Sequence, residues 1–431
     1  MTTSRRGLFR ASGIAAAAGA VSGIAVPAVA KQPSDGTRGR RHGFINGADV
    51  ASADGWSMLA GRRVGIITNP TGVLKDFTSI VDDMVAQGVT VGAVFGPEHG
   101  FRGTAQAGAS EPTSTDPRTG VTVYDAYGAN ATKLAGFYTE SGVDTVVFDI
   151  QDAGARFYTY IWTMWSGIQA AAMTGVKFMV LDRPNPLGGR ARGPVLRPEF
   201  ASGVGQLEIA QQHGMTVGEL ARYFNATFMT RIGLEPLTAI DVVQVQDWKR
   251  QMDIESLADR WVMPSPNMPT PQTATVYPGT GMFEATNMSE GRGTTRPFEL
   301  IGAPYGDYRW AADLNERGLA GVDFREAYFV PTFSKNQGKV CGGVQVHLVD
   351  PGAVDALAVG THMLVAARDL YEGFDWRGDA GRWIDLLTGS DRFRTQFESG
   401  ASAPEIISAW QRDLRRFVVD TNRFLLYAGP R

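Results

Sequence analysis

A single cysteine, Cys341, stands in a chain of 431 residues. No internal disulfide can form, and no cysteine-rich zinc or iron–sulfur site can be built. Cys341 reads as a small buried hydrophobe. Histidine is scarce as well. The five, at 42, 99, 213, 347 and 362, show no metal-ligand spacing, and there is no H-E-x-x-H. A metal could be held only by a carboxylate set such as Asp149, Asp152 and Asp182, so no metal and no cofactor is expected. There is no Walker A loop. The first apolar strand ends in TNPTG rather than G-x-G-x-x-G, so a phosphate-cradling nucleotide loop is missing. G-x-S-x-G is absent too, which removes the usual serine nucleophile of α/β hydrolases. Charge of one sign does not dominate: 41 basic residues face 44 acids, for a net charge of −3. With no basic stripe carrying aromatics, nucleic acid is not an expected partner. No apolar run reaches the roughly 18–20 strongly apolar residues of a membrane span.

The nearest approach to one is the first thirty residues, and Gly and Ser interrupt it. Ser4-Arg5-Arg6-Gly7-Leu8-Phe9-Arg10 has the twin-arginine pattern, and Ala28-Val29-Ala30 is an A-x-A cleavage site. Residues 1–30 therefore read as a twin-arginine signal peptide and 31–43 as a mobile leader. Cleavage would take the net charge to about −6 by removing Arg5, Arg6 and Arg10. The mature protein is expected outside the cytoplasmic membrane, in the periplasmic, cell-wall or extracellular space.

Four short, continuous, β-branched runs follow: VGIIT (64–68), VGAVF (91–95), TVVFDI (145–150) and FMVLD (178–182). Such runs suit strands buried on both faces of a parallel sheet. Amphipathic stretches at Thr78–Gln87, Thr132–Ser141 and Tyr160–Thr174 alternate with them, the βαβ signature of a doubly wound α/β fold. Thr216-Val217-Gly218-Glu219 predicts a capping box opening another helix. Residues 101–128 read as an insertion. Beyond about 240 the texture changes. Proline-bearing loops dominate 262–305, VQVHLVD (344–350) reads as a strand, and helices are predicted over 353–372 and 404–418. The expected domains are 44–240, catalytic, and 241–431, α+β.

Each predicted strand ends in polar residues. The first ends in Thr68-Asn69-Pro70, and the second in Gly-Pro-Glu-His-Gly, giving Glu98 and His99. The third ends in DIQDAGARFYTY, giving Asp149, Gln151, Asp152, Arg156, Tyr158 and Tyr160. The fourth ends in DRPNPLGG, giving Asp182, Arg183 and Asn185. In an open parallel sheet, ligands bind at the carboxyl ends of strands. Four polar clusters at one edge point to a shared site. For Glu98 the plain structural alternative is a loop cap, and for His99 a loop-orienting hydrogen bond. Loops of the second domain add Asn267, Glu284, Asn287, Glu290, Arg292 and Arg296 as a facing wall.

The motifs GPEHGFRG, DIQDAGARFYTYI, DRPNPLGG, HGMTVGELA, PSPNMPT, FEATNMSEGRGTTRPFELIGAP and PTFSKNQGKVCGGVQVH occur in that order. Together they resemble the exo-β-N-acetylmuramidase family of peptidoglycan hexosaminidases, over roughly residues 44–431. The resemblance implies a Rossmann-like N-terminal domain, a smaller C-terminal domain and an active site in the cleft between them. It also implies release of terminal N-acetylmuramic acid from the non-reducing ends of peptidoglycan fragments, with Glu98 as catalytic acid. Gly96 and Ala153 depart from the family's commoner residues but remove no functional group.

Glycoside cleavage needs a proton donor and a group to meet the anomeric carbon. With Glu98 as donor, the second group is either Asp149, Asp152 or Glu290, or the substrate's own acetamido group oriented by an aspartate. Muramic acid carries a lactyl carboxylate, which an arginine would recognise. Arg292 is the first candidate, with Arg156 and Arg296 behind it. A non-catalytic glycan-binding protein and a sugar transferase are the competing readings.

Overall fold

The computed structural model describes residues 43–106, 108–252, 260–378 and 381–429. The expected signal peptide, and the expected leader up to residue 42, lie outside the described residues.

The apolar runs form strands because their residues alternate between two buried layers. Along the chain come β1 (Arg63–Thr68), β2 (Thr90–Gly96), β3 (Ser114–Thr115), β4 (Thr122–Asp125), β5 (Thr145–Asp149) and β6 (Lys177–Leu181). A small antiparallel ribbon, β7 (Arg192–Val195) with β8 (Ala210–Gln212), precedes β9 (Asp241–Val243). The main sheet has seven strands in the order β3-β4-β2-β1-β5-β6-β9, parallel except for β3. Val64, Ile66, Val94, Val147, Met179 and Leu181 face one core with helices α1 (Gly47–Ala53) and α2 (Ile80–Ala86). Ile67, Phe95, Val146, Phe148, Phe178 and Val180 face the other, against α3 (Ala131–Ser141), α4 (Tyr160–Thr174) and α5 (Val217–Phe228). The predicted capping box is present: Thr216 accepts from the Glu219 amide and Glu219 from the Thr216 amide. The insertion after β2 is not all loop. It supplies β4, whose Val123 pairs beside Val94.

The second half holds a three-stranded antiparallel sheet, ordered β10 (Leu300–Ala303), β12 (Cys341–Leu348), β11 (Val322–Phe329). Cys341 is buried there. Its helices include α6 (Pro271–Thr280), α7 (Tyr308–Glu316), α8 (Ala356–Leu370), α9 (Arg382–Thr388), α10 (Arg392–Glu398) and α11 (Ala403–Thr421). Helix α6 lies where the sequence suggests a proline-rich loop. Pro271 occupies the first turn, where its missing N–H costs nothing, and Thr270 caps by accepting from the Thr273 amide. Gly279 lets α6 press against α8, since a Cβ there would meet the Ala356 carbonyl. The larger apolar core runs without a break from β5, α3, α4 and α5 into α6, α8 and α11.

Candidate active site

Strand β2 delivers Glu98 to the edge of a large cleft. Pro97 and the left-handed backbone at His99 (φ 72°) turn the chain there. The His99 imidazole donates from Nδ1 to the Ala105 carbonyl at 2.9 Å, and its amide donates to Ala109 at 2.9 Å. These bonds curl the loop back on itself. As a result the Gly108 amide donates to Glu98 Oε1 at 2.8 Å. The other oxygen, Oε2, accepts from the Thr159 hydroxyl at 2.9 Å. Thr159 is the N-cap of α4, yet its side chain makes no bond to its own helix. His99 thus shapes the loop that holds Glu98, while also lining the cleft.

The cleft has a volume of about 1480 Å³, larger than the roughly 300–1,000 Å³ common for small-ligand sites. Its floor is aromatic. Tyr277 meets Phe157 at 5.1 Å, Tyr158 at 5.8 Å and Phe298 at 4.7 Å, each edge-on, and Tyr158 meets Tyr160 at 5.3 Å. Burial pushes the Tyr277 phenol well above its usual range, with Glu284, Glu98 and Asp152 adding to the effect and Arg292 opposing it. The Tyr160 hydroxyl donates to the Pro264 carbonyl, tying the first half to the PSPNMPT loop. That loop brings Asn267 and Ser265 to the cleft. Trp162 reaches the wall, but its indole donates to the Arg156 carbonyl at 2.9 Å and stacks on Phe224, a packing arrangement.

The facing wall carries a charge network. Arg292 contacts Glu284 at 2.8 Å and Glu290 at 3.2 Å, with its guanidinium 5.0 Å above the Phe298 ring. Burial opposes its charge, but those two carboxylates outweigh burial and hold its pKa above the ordinary value. Lys335 lies 2.9 Å from Glu290 and also donates to the Phe283 and Thr286 carbonyls. Burial lowers its pKa and Glu290 resists the change. Gly291 and Gly293, which flank Arg292, adopt φ of 80° and 81°. Both glycines press against the chain's own backbone, at Leu300 and Phe333.

Glu98, His99, Tyr158, Tyr160, Asn267, Glu284, Glu290 and Arg292 come together in the cleft. The remaining predicted residues are not in its lining, and each has a structural occupation. Asp149 is wholly buried and clamped by Arg183, which reaches Oδ2 at 2.8 Å; burial raises its pKa and Arg183 counters. Arg183 also donates to the Val73 carbonyl at 3.0 Å. Gln151 donates to the Asp152 and Pro184 carbonyls at 2.9 Å. Asp152 accepts from the Gly154 amide and from His213 Nε2, both at 2.9 Å. The Met215 amide points at His213 Nδ1 at 3.2 Å, which fixes the ring's proton on Nε2. Asp182 accepts from the Arg183 and Gly218 amides and the Thr216 and Tyr427 hydroxyls. Asn185 bonds Met215 and Leu187. The strand-end crevice at the switch between β1 and β5 is therefore filled by the chain's own loops.

Arg156 is wholly buried and donates to the Pro194, Ile209 and Leu387 carbonyls, so it ties the two halves together instead of facing a ligand. Asn287 accepts from the Tyr305 hydroxyl and donates to the Gly373 carbonyl at 2.7 Å. Arg296 pairs with Glu299 at 3.2 Å. Among the described residues, no group of three or more His, Cys, Asp or Glu could hold a metal ion, and no helix is long and apolar enough to cross a membrane. Sequence reasoning missed Thr159, Tyr277, Lys335, Arg377 and Trp383, all of which line the cleft. Thr159 and Lys335 lay within quoted motifs, and the other three did not.

Fold and cleft together define a two-part α/β protein whose aromatic floor and polar walls suit a sugar held beside a carboxylate. The chain belongs to the exo-beta-N-acetylmuramidase NamZ family: the family's N-terminal model matches residues 64–272 and its C-terminal model residues 275–427. It is 44% identical over 385 residues to the peptidoglycan beta-N-acetylmuramidase NamZ of Bacillus subtilis (strain 168), covering 88% of this chain and 91% of that one. Two crystal structures of DUF1343 family proteins from Bacteroides fragilis share the fold. One has a TM-score of 0.79 and 32% identity, covering 90% of this chain and 100% of that one. The other has a TM-score of 0.71 and 30% identity, covering 90% and 99%.

Proposed function

We propose that this protein is an exo-acting glycoside hydrolase that releases terminal N-acetylmuramic acid from the non-reducing ends of peptidoglycan fragments. One observation carries the chemistry: Glu98, in the family-like GPEHG turn, stands at the cleft between the Gly108 amide and the Thr159 hydroxyl. Gly108 can only donate, so Oε1 must accept and the acid proton belongs on Oε2. Thr159 can turn from donor to acceptor. It therefore aims the Oε2 proton before transfer and stabilises the carboxylate afterwards. Glu98 gives that proton to the leaving glycosidic oxygen.

The second group is the substrate's acetamido oxygen. Supporting this, Asp149 and Asp152 are absent from the cleft lining, and Glu290 is held by Arg292 and Lys335. The acetamido oxygen bonds to the anomeric carbon as the glycosidic bond breaks. Water then adds at that carbon, returning its proton to Glu98 and restoring the acetamide. The tyrosine floor gives the sugar ring an apolar face. The twin-arginine pattern and A-x-A site at the start of the chain support action on cell-wall fragments beyond the cytoplasmic membrane.

The test is incubation of the protein with the disaccharide N-acetylmuramyl-β-1,4-N-acetylglucosamine. Free N-acetylmuramic acid is the expected product. Binding without release would make the protein a glycan-binding module. Transfer only from an activated sugar would make it a transferase.

A further inference from the structure

Of the charged side chains lining the cleft, most neutralise one another. Arg292 is matched by Glu284 and Glu290, and Lys335 by Glu290 and two carbonyls. Two charges remain. One is Glu98, whose partners are an amide and a hydroxyl. The other is Arg377, which lines the cleft and, among the described residues, makes no ion pair. It follows α8 on an exposed loop. That loop is not loosely hung: the Arg377 amide donates to Ala285 at 2.8 Å, the Asn287 amide to Asp375 at 3.0 Å, and the Asn287 side chain to Gly373 at 2.7 Å. The guanidinium lies 5.1 Å from the Trp383 ring centroid, within cation–π range. It is also close enough to Lys335 to oppose that ammonium's charge. A planar cation against an aromatic ring, beside a second cation and exposed in a ligand cleft, has the chemistry to receive a carboxylate.

Building on the function proposed above, we propose that Arg377, braced on Trp383, binds the lactyl carboxylate of the terminal muramic acid and sets the preference for that sugar. The fork of the guanidinium receives the two carboxylate oxygens side by side. The bound anion also relieves the repulsion between Arg377 and Lys335. Arg292, by contrast, would have to release Glu284 or Glu290 to do the same.

The test compares a chromogenic β-N-acetylmuraminide with the same glycoside whose lactyl group is an N-methylamide, similar in shape but uncharged. Wild type should prefer the acid. Arg377→Gln should raise KM for the acid roughly 10- to 100-fold, and the acid-over-amide preference should collapse toward one. Arg377→Lys should keep part of the preference, because charge survives while the fork is lost. Thermal midpoints separate these effects from unfolding, and the exposed position makes both variants tolerable. If Arg377→Gln kept the wild-type preference, or lost both substrates equally, the assignment would be overturned. A wild type that hydrolysed both glycosides without preferring the acid would overturn it and leave the hydrolase reading intact. A wild type that hydrolysed neither would remove both.

Discussion

Replacing Glu98 with glutamine should leave the local structure almost unchanged and remove the proton. The amide oxygen can take the Gly108 N–H now received by Oε1 at 2.8 Å, and the amide nitrogen can donate to Thr159. With both bonds kept, the loss in kcat/KM is that of general acid catalysis, about 10²–10⁴-fold. Thr159→Val is the complementary change. The hydroxyl caps nothing in α4, so its removal should not disturb the helix. It deletes one hydrogen bond to a chargeable group, worth about 1.5–3 kcal/mol, or roughly 10- to 150-fold in rate. If Thr159 works by aiming the Glu98 proton, the two losses cannot add. The double variant should be no slower than Glu98→Gln alone, a coupling as large as the Thr159 effect itself. Initial rates on the disaccharide, for all four proteins with matched thermal midpoints, give the answer. An aryl glycoside with a very acidic leaving group should lose less on Glu98→Gln, because it needs less proton. Additive losses in the cycle, or equal losses on both substrates, would refute the reasoning.

Two further outcomes are expected. Successive fluorination of the substrate's N-acetyl group should slow hydrolysis steeply, since it weakens the acetamido oxygen as a nucleophile; a flat response in kcat would return the role to a protein carboxylate. Asp182 is wholly buried, and burial pushes its pKa up to about 7 against three donors that pull it down, Tyr427 the largest of them, then the Gly218 amide and Thr216. The unfolded value is about 3.9. Between those values the folded state holds the extra proton, so stability falls as pH rises through that window, at up to about 1.4 kcal/mol per pH unit. In Asp182→Asn that slope disappears. The stability advantage of wild type over the variant, from urea unfolding, should shrink from pH 5 to pH 7 and level off above; a constant or widening gap would contradict the assignment.

Much of the sheet is legible in the sequence because strands covered on both faces are continuous apolar runs. VGIIT and FMVLD each lie within a residue of the observed β1 and β6. The capping box at Thr216 is equally local and equally visible. Helix α6 is not, because its prolines carry the signature of a loop, while the close approach of Gly279 to α8 is a contact distant in sequence. β11 escaped notice although Val322, Phe324 and Ala327 turn inward among exposed neighbours, a pattern that alternation could have revealed. In the site, Glu98 is legible because two glycines and a proline isolate it. Asp149, Asp182 and Arg156 share its strand-end position but point elsewhere. A strand end must satisfy buried backbone groups and cap helices as well as serve a ligand, and sequence does not say which way a side chain turns. Arg377 is illegible for the opposite reason: nothing in DWRGD marks it until the other cations are seen to be paired.

The aromatic floor of the cleft is also part of the large apolar core. Phe157, Tyr158, Tyr160, Met268, Tyr277 and Phe298 belong to both. Most sites sit apart from the residues that hold a fold up, so they can vary cheaply. Here a change of floor residue opens a cavity in the core, at about 3–5 kcal/mol for an aromatic cut to alanine, comparable with a whole domain's margin. Divergence toward other sugars would therefore have to proceed from the rim, through positions such as Gln106, Gln206 and Phe333, while the floor stays as it is. Variation among natural relatives and success in directed evolution should both concentrate on that rim.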